Sequence, residues 1–467
     1  MGINGTVLVA ADDQEPVDQA VNYSVKDYLT FIVPSLLGVL FFLLPVEYDG
    51  KWTIPMGVLS SGLETELASI MPIVVLTIVI VSLVLTLAVM TWVKVSKPEV
   101  LSFPLNQFDI PMAWVIIRGL GAMVAVCVFF ELGPEWIWGS KTGHVVFYDL
   151  AIPIVTIFIF AAFLLPLLTD YGLMEFVGAL LRSAFQTVFG LPGRSCVDAM
   201  ASWMAASSVG VLITSQQYEK GFYTGREAAV ISTNFSVVSL PFCLIVAQFV
   251  DLDHMFITFY LTVSFAGVVA AIITPRLPPL SRIPDNYAPI GKQIDETDKT
   301  QVSVFKSGLN TALAKAKKAP GFKGLFVSAI ENISDIWFGL MPPLMFIATL
   351  GLVLTEYTPI VHWLSMPFVP VLELLQLPEA AKAAPAMVVG FAEMFLPAVV
   401  ASGIESELTR FVIISVSIAQ LIYMSEMGVL ILKTNIPLNL WQLMAIFLVR
   451  TAIILPIIAG IAHFIVF

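Results

Sequence analysis

From Leu67 to Val93 the chain runs without a single charged side chain, and comparable apolar blocks recur along its 467 residues. A helix needs about 20 mostly apolar residues to cross the hydrocarbon of a bilayer. Nine segments meet that requirement: 28–46, 68–93, 110–131, 149–168, 227–248, 255–275, 335–354, 411–432 and 439–465. Two further apolar stretches, 192–214 and 385–403, are rich in Gly, Pro and small polar residues, and charged residues follow each before the next span begins. A broken helix is tolerated at membrane depth only where protein or a water-filled cavity satisfies its freed backbone. Both stretches are therefore read as re-entrant hairpins, and residues 173–190 and 359–376, which precede them, suit helices lying along the interface. The expected fold is an all-α polytopic membrane protein with about nine transmembrane helices plus two broken, re-entrant hairpins.

Composition agrees with this reading and removes other classes. Charged residues make up 12% of the chain, about half the share of an ordinary soluble domain. A net charge of −11 argues against a nucleic-acid partner. Cys127, Cys196 and Cys243 sit in apolar stretches and match neither a disulfide framework nor a metal-ligand spacing. The opening segment, 1–27, is polar and acidic, unlike the basic-then-apolar pattern of a cleaved signal peptide.

Lys and Arg concentrate on the cytoplasmic side of multi-pass proteins. With a cytoplasmic N-terminus, 17 of them fall inside, Lys51, Lys141, Lys382 and Arg410 fall outside, and Arg118 and Arg450 lie within spans. The expected location is the plasma membrane, as a multi-pass protein of the bacterial inner membrane. Trp136, Trp138 and Trp441 suit interfacial anchors.

Internal duplication organises the rest. Laid against itself at one constant offset, the chain places Asp149 on Asp335, Thr169-Asp170-Tyr171 on Thr355-Glu356-Tyr357, and Leu191-Pro192 on Leu377-Pro378; at a slightly shorter offset Arg226 falls on Arg410. Three full spans separate the starts of the two copies, so the second is inserted upside down. The chain then divides into a polar N-terminal segment (1–27), N-terminal scaffold helices (28–131), a first repeat (149–275), a cytoplasmic linker (276–334) and a second, inverted repeat (335–467). The linker pattern from Val302 to Lys318 suits a short basic amphipathic helix at the membrane surface. Glu331, Asn332 and Asp335 suit caps at the start of the second copy. Inverted repeats whose broken helices meet near the midplane are the architecture of alternating-access transporters.

A charge at mid-membrane is costly enough to need a partner or a function. The first hairpin, GLPGRSCVDAMASWMAASSVGVLIT (190–214), places Arg194, Ser195, Asp198, Ser207 and Ser208 among apolar residues, and the next span adds Asn234 and Ser236. The second hairpin carries Glu393, and the span after it carries Gln420, Ser425 and Glu426. Small hydroxyls in membrane helices commonly act as packing glue. The acids Asp198, Glu393 and Glu426 carry the functional reading: each suits proton exchange or, with hairpin carbonyls and hydroxyls, a hard cation such as Na⁺. Arg118 and Arg450 are expected to pair with carboxylates or lipid phosphates.

These two hairpin segments, with YTGREAAVISTNFSVVSLPF (223–242) and QLIYMSEMGVLIL (420–432), resemble the bacterial YjiH family, membrane proteins with a nucleoside-recognition Gate domain. Concentrative nucleoside transporters, the FeoB ferrous-iron transporter and the spore maturation proteins are similar over the hairpin-plus-helix units. The resemblance implies ion-coupled solute transport through paired inverted repeats, with ligand groups near both hairpins, and a homo-oligomer. Where the nucleoside transporters carry a Gln-Thr-Glu-Ala-Pro signature, this chain has Leu191-Pro192-Gly193-Arg194-Ser195, and it has no phosphate loop of the FeoB kind.

The expected function is a Na⁺- or H⁺-coupled secondary transporter of a small polar solute, nucleoside-like or amino-acid-like. No cofactor is implied beyond the coupling ion, the metal-ligating set is open, and the partners are the solute and membrane lipid. The alternative is a non-transporting membrane scaffold of the spore-maturation type. Scattered histidines and the absence of hydrolase motifs argue against an enzyme.

Overall fold

The structure, a computed structural model, describes residues 23–44, 46–48, 51–96, 103–204, 207–235, 238–287 and 303–467. Apart from a short ribbon, Val46–Tyr48 antiparallel to Lys51–Thr53, its regular elements are helices. Among the described residues eight helices are long and apolar enough to cross a membrane: Val25–Phe42, Met71–Ser96, Met112–Phe129, Val145–Thr169, Asp253–Arg282, Lys323–Tyr357, Glu407–Lys433 and Leu440–Val466.

The ninth expected span, 227–248, is instead two short helices, Gly225–Asn234 and Leu240–Phe249. Ser239 opens the second of them from extended backbone, with Pro241 in its first turn. A proline there forfeits no helix bond, whereas inside one continuous helix it would remove one. The span 411–432 is also interrupted. Its helix Glu407–Gln420 stops at Leu421, which has φ +63°, and a π-helical turn, Met424–Gly428, leads into Val429–Lys433. Glu331, Asn332 and Asp335 cap nothing: they lie inside the continuous helix Lys323–Tyr357, because the apolar pattern extends upstream of the expected start.

The chain forms two compact units. One takes Met56–Pro166 and Pro320–Tyr357 with the residues up to Tyr28; the other takes Leu29–Pro55, Leu167–Ala319 and Thr358–Phe467. In the first unit Met341–Tyr357 and Met71–Ser96 both pack on Met112–Phe129. Contact is closest at Gly121, where a β-carbon would overlap the Pro342 carbonyl oxygen. Pro342 has no N–H to offer the Phe338 carbonyl one helical turn back, and the Ser82 hydroxyl supplies that donor at 2.6 Å. Arg118 is buried here on neutral partners, the Thr86 hydroxyl at 2.7 Å and the Gln107 carbonyl at 3.2 Å. No carboxylate pairs with it among the described residues.

The second unit holds both hairpins. The amphipathic helix Leu173–Ala184 runs through a π-helical turn, Phe185–Phe189, to Gly190, whose φ of +65° ends it ahead of Leu191-Pro192. Ahead of the second Leu-Pro pair Gln376 has φ +55°, directly before Leu377-Pro378. A left-handed residue thus precedes each Leu-Pro pair. Only glycine adopts this conformation without a steric cost. Gln376 is exposed, so Gln376→Gly is expected to stabilise the protein by about 1 kcal/mol, read as a raised melting temperature in detergent.

The linker helix, Val304–Lys317, packs along Leu173–Ala184. Gly308 faces Ala179, Phe305 meets Phe176 edge-on, and Lys315 pairs with Glu175 at 3.6 Å. The amphipathic pattern gave this helix nearly to the residue; its packing partner lay outside what spacing shows.

Candidate functional site

Every candidate site residue falls in the second unit. The first hairpin is Ser195–Met204 followed by Ser207–Glu219. Asp198 projects from the first turn of Ser195–Met204 and is buried. Its Oδ2 accepts from the Tyr223 hydroxyl at 2.9 Å and the Thr214 hydroxyl at 3.2 Å. A carboxylate with two hydroxyl donors is locally satisfied in apolar surroundings, and it also holds a proton acceptor ready. Arg194 lies with its guanidinium over the Phe222 ring, 4.1 Å from the centroid. Ser195 donates to the Pro192 carbonyl at 2.7 Å, an intrahairpin bond that fits the packing role of small hydroxyls. Ser236 lies outside the described residues, as do the side chains of Ser207 and Ser208.

After the hairpin, a capping box between Thr224 and Glu227 starts Gly225–Asn234. The helix ends on a buried amide: Asn234 donates to the Val230 carbonyl and the Thr233 hydroxyl, both at 3.1 Å. Its Oδ1 accepts from Arg450 Nη1 at 2.8 Å.

In the second hairpin Ala386–Val389 gives way to irregular backbone over 390–395 before Leu396–Ser402. Glu393 is buried there, with the Phe395 amide donating to its Oε2 and the amides of Met394 and Leu396 beside it. The carboxylate thus satisfies the free N–H groups that the broken backbone creates. Ser417 donates to the Met394 carbonyl and ties the following helix to the same loop. At the hairpin's base, the Glu379 carboxylate takes Lys382 at 2.7 Å and the amides of Glu405 and Ser406 at 2.9 and 3.2 Å.

The helix Glu407–Gln420 begins at Ser406, whose hydroxyl accepts from the Thr409 amide, and it too ends on a buried amide, Gln420. Asn234 and Gln420 thus each close the helix that follows a hairpin. Past Leu421 the amides of Met424 and Ser425 donate to the carbonyls of Phe391 and Ala392 at 2.8 and 3.0 Å, so the second break is sealed against its own hairpin. Ser425 and Glu426 are half-buried on the turn beyond. Tyr423 donates to Glu426 at 3.3 Å.

Arg450 fastens the two breaks. Fully buried on Leu440–Ile461, it reaches Asn234 with Nη1 and donates through Nε to the Ala419 carbonyl at 2.6 Å. The next residue, Thr451, accepts from Gln420 Nε2 at 2.7 Å. The expected carboxylate partner is therefore replaced by a helix-end carbonyl and an amide. The C-terminal end of a helix carries partial negative charge, which favours a cation at that place.

The two hairpin regions also meet directly. Ser207–Glu219 packs on the turn Met424–Gly428, Leu240–Phe249 packs on Leu396–Ser402, and Phe395 lies against Phe249 with ring centroids 4.8 Å apart. Asp198 and Glu393 are each satisfied by partners near their own hairpin rather than by one another. Tyr223, Thr214 and Thr451 were not singled out by sequence: their partners lie between 16 and 31 positions away, beyond any local periodicity. Among the described residues no group of three or more His, Cys, Asp or Glu side chains converges as a metal site.

Comparison with known proteins gives two findings. The family described as Gate, nucleoside recognition, matches residues 151–253, which hold the first hairpin and its broken helix. Uncharacterized protein BpOF4_10220 of Alkalihalophilus pseudofirmus is 50% identical over 439 residues, covering 93% of this chain and 94% of its own length. No solved structure matches. The Gate match and the polytopic helical architecture together suggest a membrane transporter. With half of all aligned residues identical over nearly its whole length, this chain belongs to one family with the Alkalihalophilus protein and carries the Gate domain within it.

Proposed function

We propose that the protein is a secondary transporter of a small polar solute, nucleoside-like or amino-acid-like, driven by Na⁺ or H⁺ and working by alternating access in the bacterial inner membrane with its N-terminus inside. One observation carries the reading: each repeat supplies a hairpin and a helix broken just after a buried amide, and a single buried arginine joins both breaks. Discontinuous helices paired in this way build solute and ion sites near the midplane of transporters. Asp198 and Glu426 are the assigned coupling acids, and Arg194, Asn234, Gln420 and Ser425 line the route of the solute. Ser195 and Glu393 serve mainly to hold their hairpins.

A thermal-shift screen of the purified protein tests this, with nucleosides and amino acids each offered in Na⁺ and in K⁺ at two pH values. A bound ligand stabilises as the logarithm of its concentration over its Kd. The expected result is a solute-specific rise in melting temperature that needs Na⁺ or low pH and vanishes in Asp198→Asn.

The second reading is a static scaffold of the spore-maturation type. Its support is that Asp198 and Glu393 are buried and already paired by groups of this chain. It predicts no solute-dependent shift, and a loss of stability in Asp198→Asn.

A further inference from the structure

Arg450 presents an imbalance that the fold alone does not remove. Its guanidinium is fully buried, and its two acceptors, Asn234 Oδ1 and the Ala419 carbonyl, are both neutral. An arginine keeps its charge under all ordinary conditions, and a buried charge without a counter-charge is costly. Among the described residues no carboxylate pairs with it, and its third nitrogen, Nη2, finds no acceptor. Nη2 lies beside Gly267, where a β-carbon would stand 3.9 Å from it, and the helix carrying Gly267 offers it no acceptor.

A second buried polar atom is unpaired one residue from the Ala419 carbonyl. Gln420 Oε1 accepts nothing from the described residues, while its Nε2 is fixed on Thr451. The Thr451 hydroxyl donates to its own helix at Phe447, so the amide cannot turn round without losing that bond. Oε1 faces Gly390 of the second hairpin, where a β-carbon would stand 2.6 Å away. An unused cationic donor and an unused acceptor thus lie where both broken helices end. Native proteins seldom leave such atoms unpaired, and a bound group is a common reason when they do.

We propose that Arg450 is the anion-binding residue of the solute site, and that the solute carries a carboxylate taken by Nη2, with an N–H or O–H group for Gln420 Oε1. The inference rests on the transport reading above and narrows its substrate to carboxylate-bearing solutes, amino acids among them. Arg450 is covered in the state described here, so the solute meets it when the two breaks open to one side.

The test uses the full-length protein in detergent and matched pairs that differ only in the acid: L-alanine against L-alaninamide, L-glutamate against its diamide, succinate against succinamide, with uridine as the uncharged nucleoside. The acid of at least one pair is expected to raise the melting temperature while its amide does not. Its apparent Kd should weaken at least tenfold in Arg450→Lys, which keeps the charge but not the fork. Should Arg450→Lys fail to fold, Gly267→Leu crowds Nη2 with the arginine intact and is expected to abolish the shift. Equal shifts from acid and amide, no shift from any acid, or full binding by the folded Arg450→Lys and Gly267→Leu variants would each overturn the assignment. Sodium- or proton-dependent binding of uridine alone would overturn it while leaving the transport reading in place.

Discussion

Glu393→Ala is expected to unseat the second hairpin, with a fall in melting temperature large enough to deplete folded protein on purification. The wild-type carboxylate answers the Phe395 amide and stands against those of Met394 and Leu396. Alanine leaves those donors without an acceptor in a region where water does not compensate. Each orphaned buried donor costs about 1–3 kcal/mol, and unsatisfied backbone in the bilayer costs more. Glu393→Gln keeps one acceptor oxygen and is expected to melt much closer to wild type. Melting curves of the three proteins decide the matter. If alanine and glutamine melt alike, Glu393 has no role in holding the hairpin, and its burial must be explained by transport instead.

Gly121→Val should be at least as damaging, for an unrelated reason. The first unit depends on the approach of Met112–Phe129 to Met341–Tyr357, and a β-carbon at position 121 would overlap the Pro342 carbonyl oxygen and stand 2.7 Å from its carbonyl carbon. The obstacle is backbone, so no rotamer change relieves it; small residues at such crossings are what let membrane helices pack. The cost is expected at about 3 kcal/mol or more, seen as loss of monodisperse protein. Gly267→Ala, where an added methyl meets only ordinary contact, is the matched control and should fold normally.

How far the sequence carried the reading depends on the distance between cause and effect along the chain. Apolar block length placed eight of the nine expected spans, and amphipathic periodicity placed Val304–Lys317. Both breaks were written locally as well, in Leu-Pro pairs and in small polar residues. The division of 227–248 into two helices was available in Ser239 and Pro241 and was outweighed by total hydropathy. The short ribbon Val46–Tyr48 with Lys51–Thr53 was not anticipated.

What remained illegible was partnership. Asp198, Asn234 and Gln420 stood out as polar residues in apolar context, but Tyr223, Arg450 and Thr451 became their partners only through helices packing across 25, 216 and 31 positions. Glu393 was singled out for its charge, and the structure gives that charge a local backbone duty that no spacing rule shows. Arg118 illustrates the same limit. A buried guanidinium invites the expectation of a carboxylate, yet a carbonyl and a hydroxyl of neighbouring segments serve instead.

The central claim is that two hairpins and two broken helices move a solute at the expense of an ion gradient. Uptake into proteoliposomes tests it most directly, using whichever radiolabelled solute raises the melting temperature, under an imposed Na⁺ gradient, an imposed proton gradient, or neither. The account predicts accumulation above the equilibrium level with one of the two gradients. It also predicts loss of that accumulation in Asp198→Asn or Glu426→Gln while the variants still fold. Uptake that only equilibrates under every gradient, or accumulation that survives both substitutions, would contradict it.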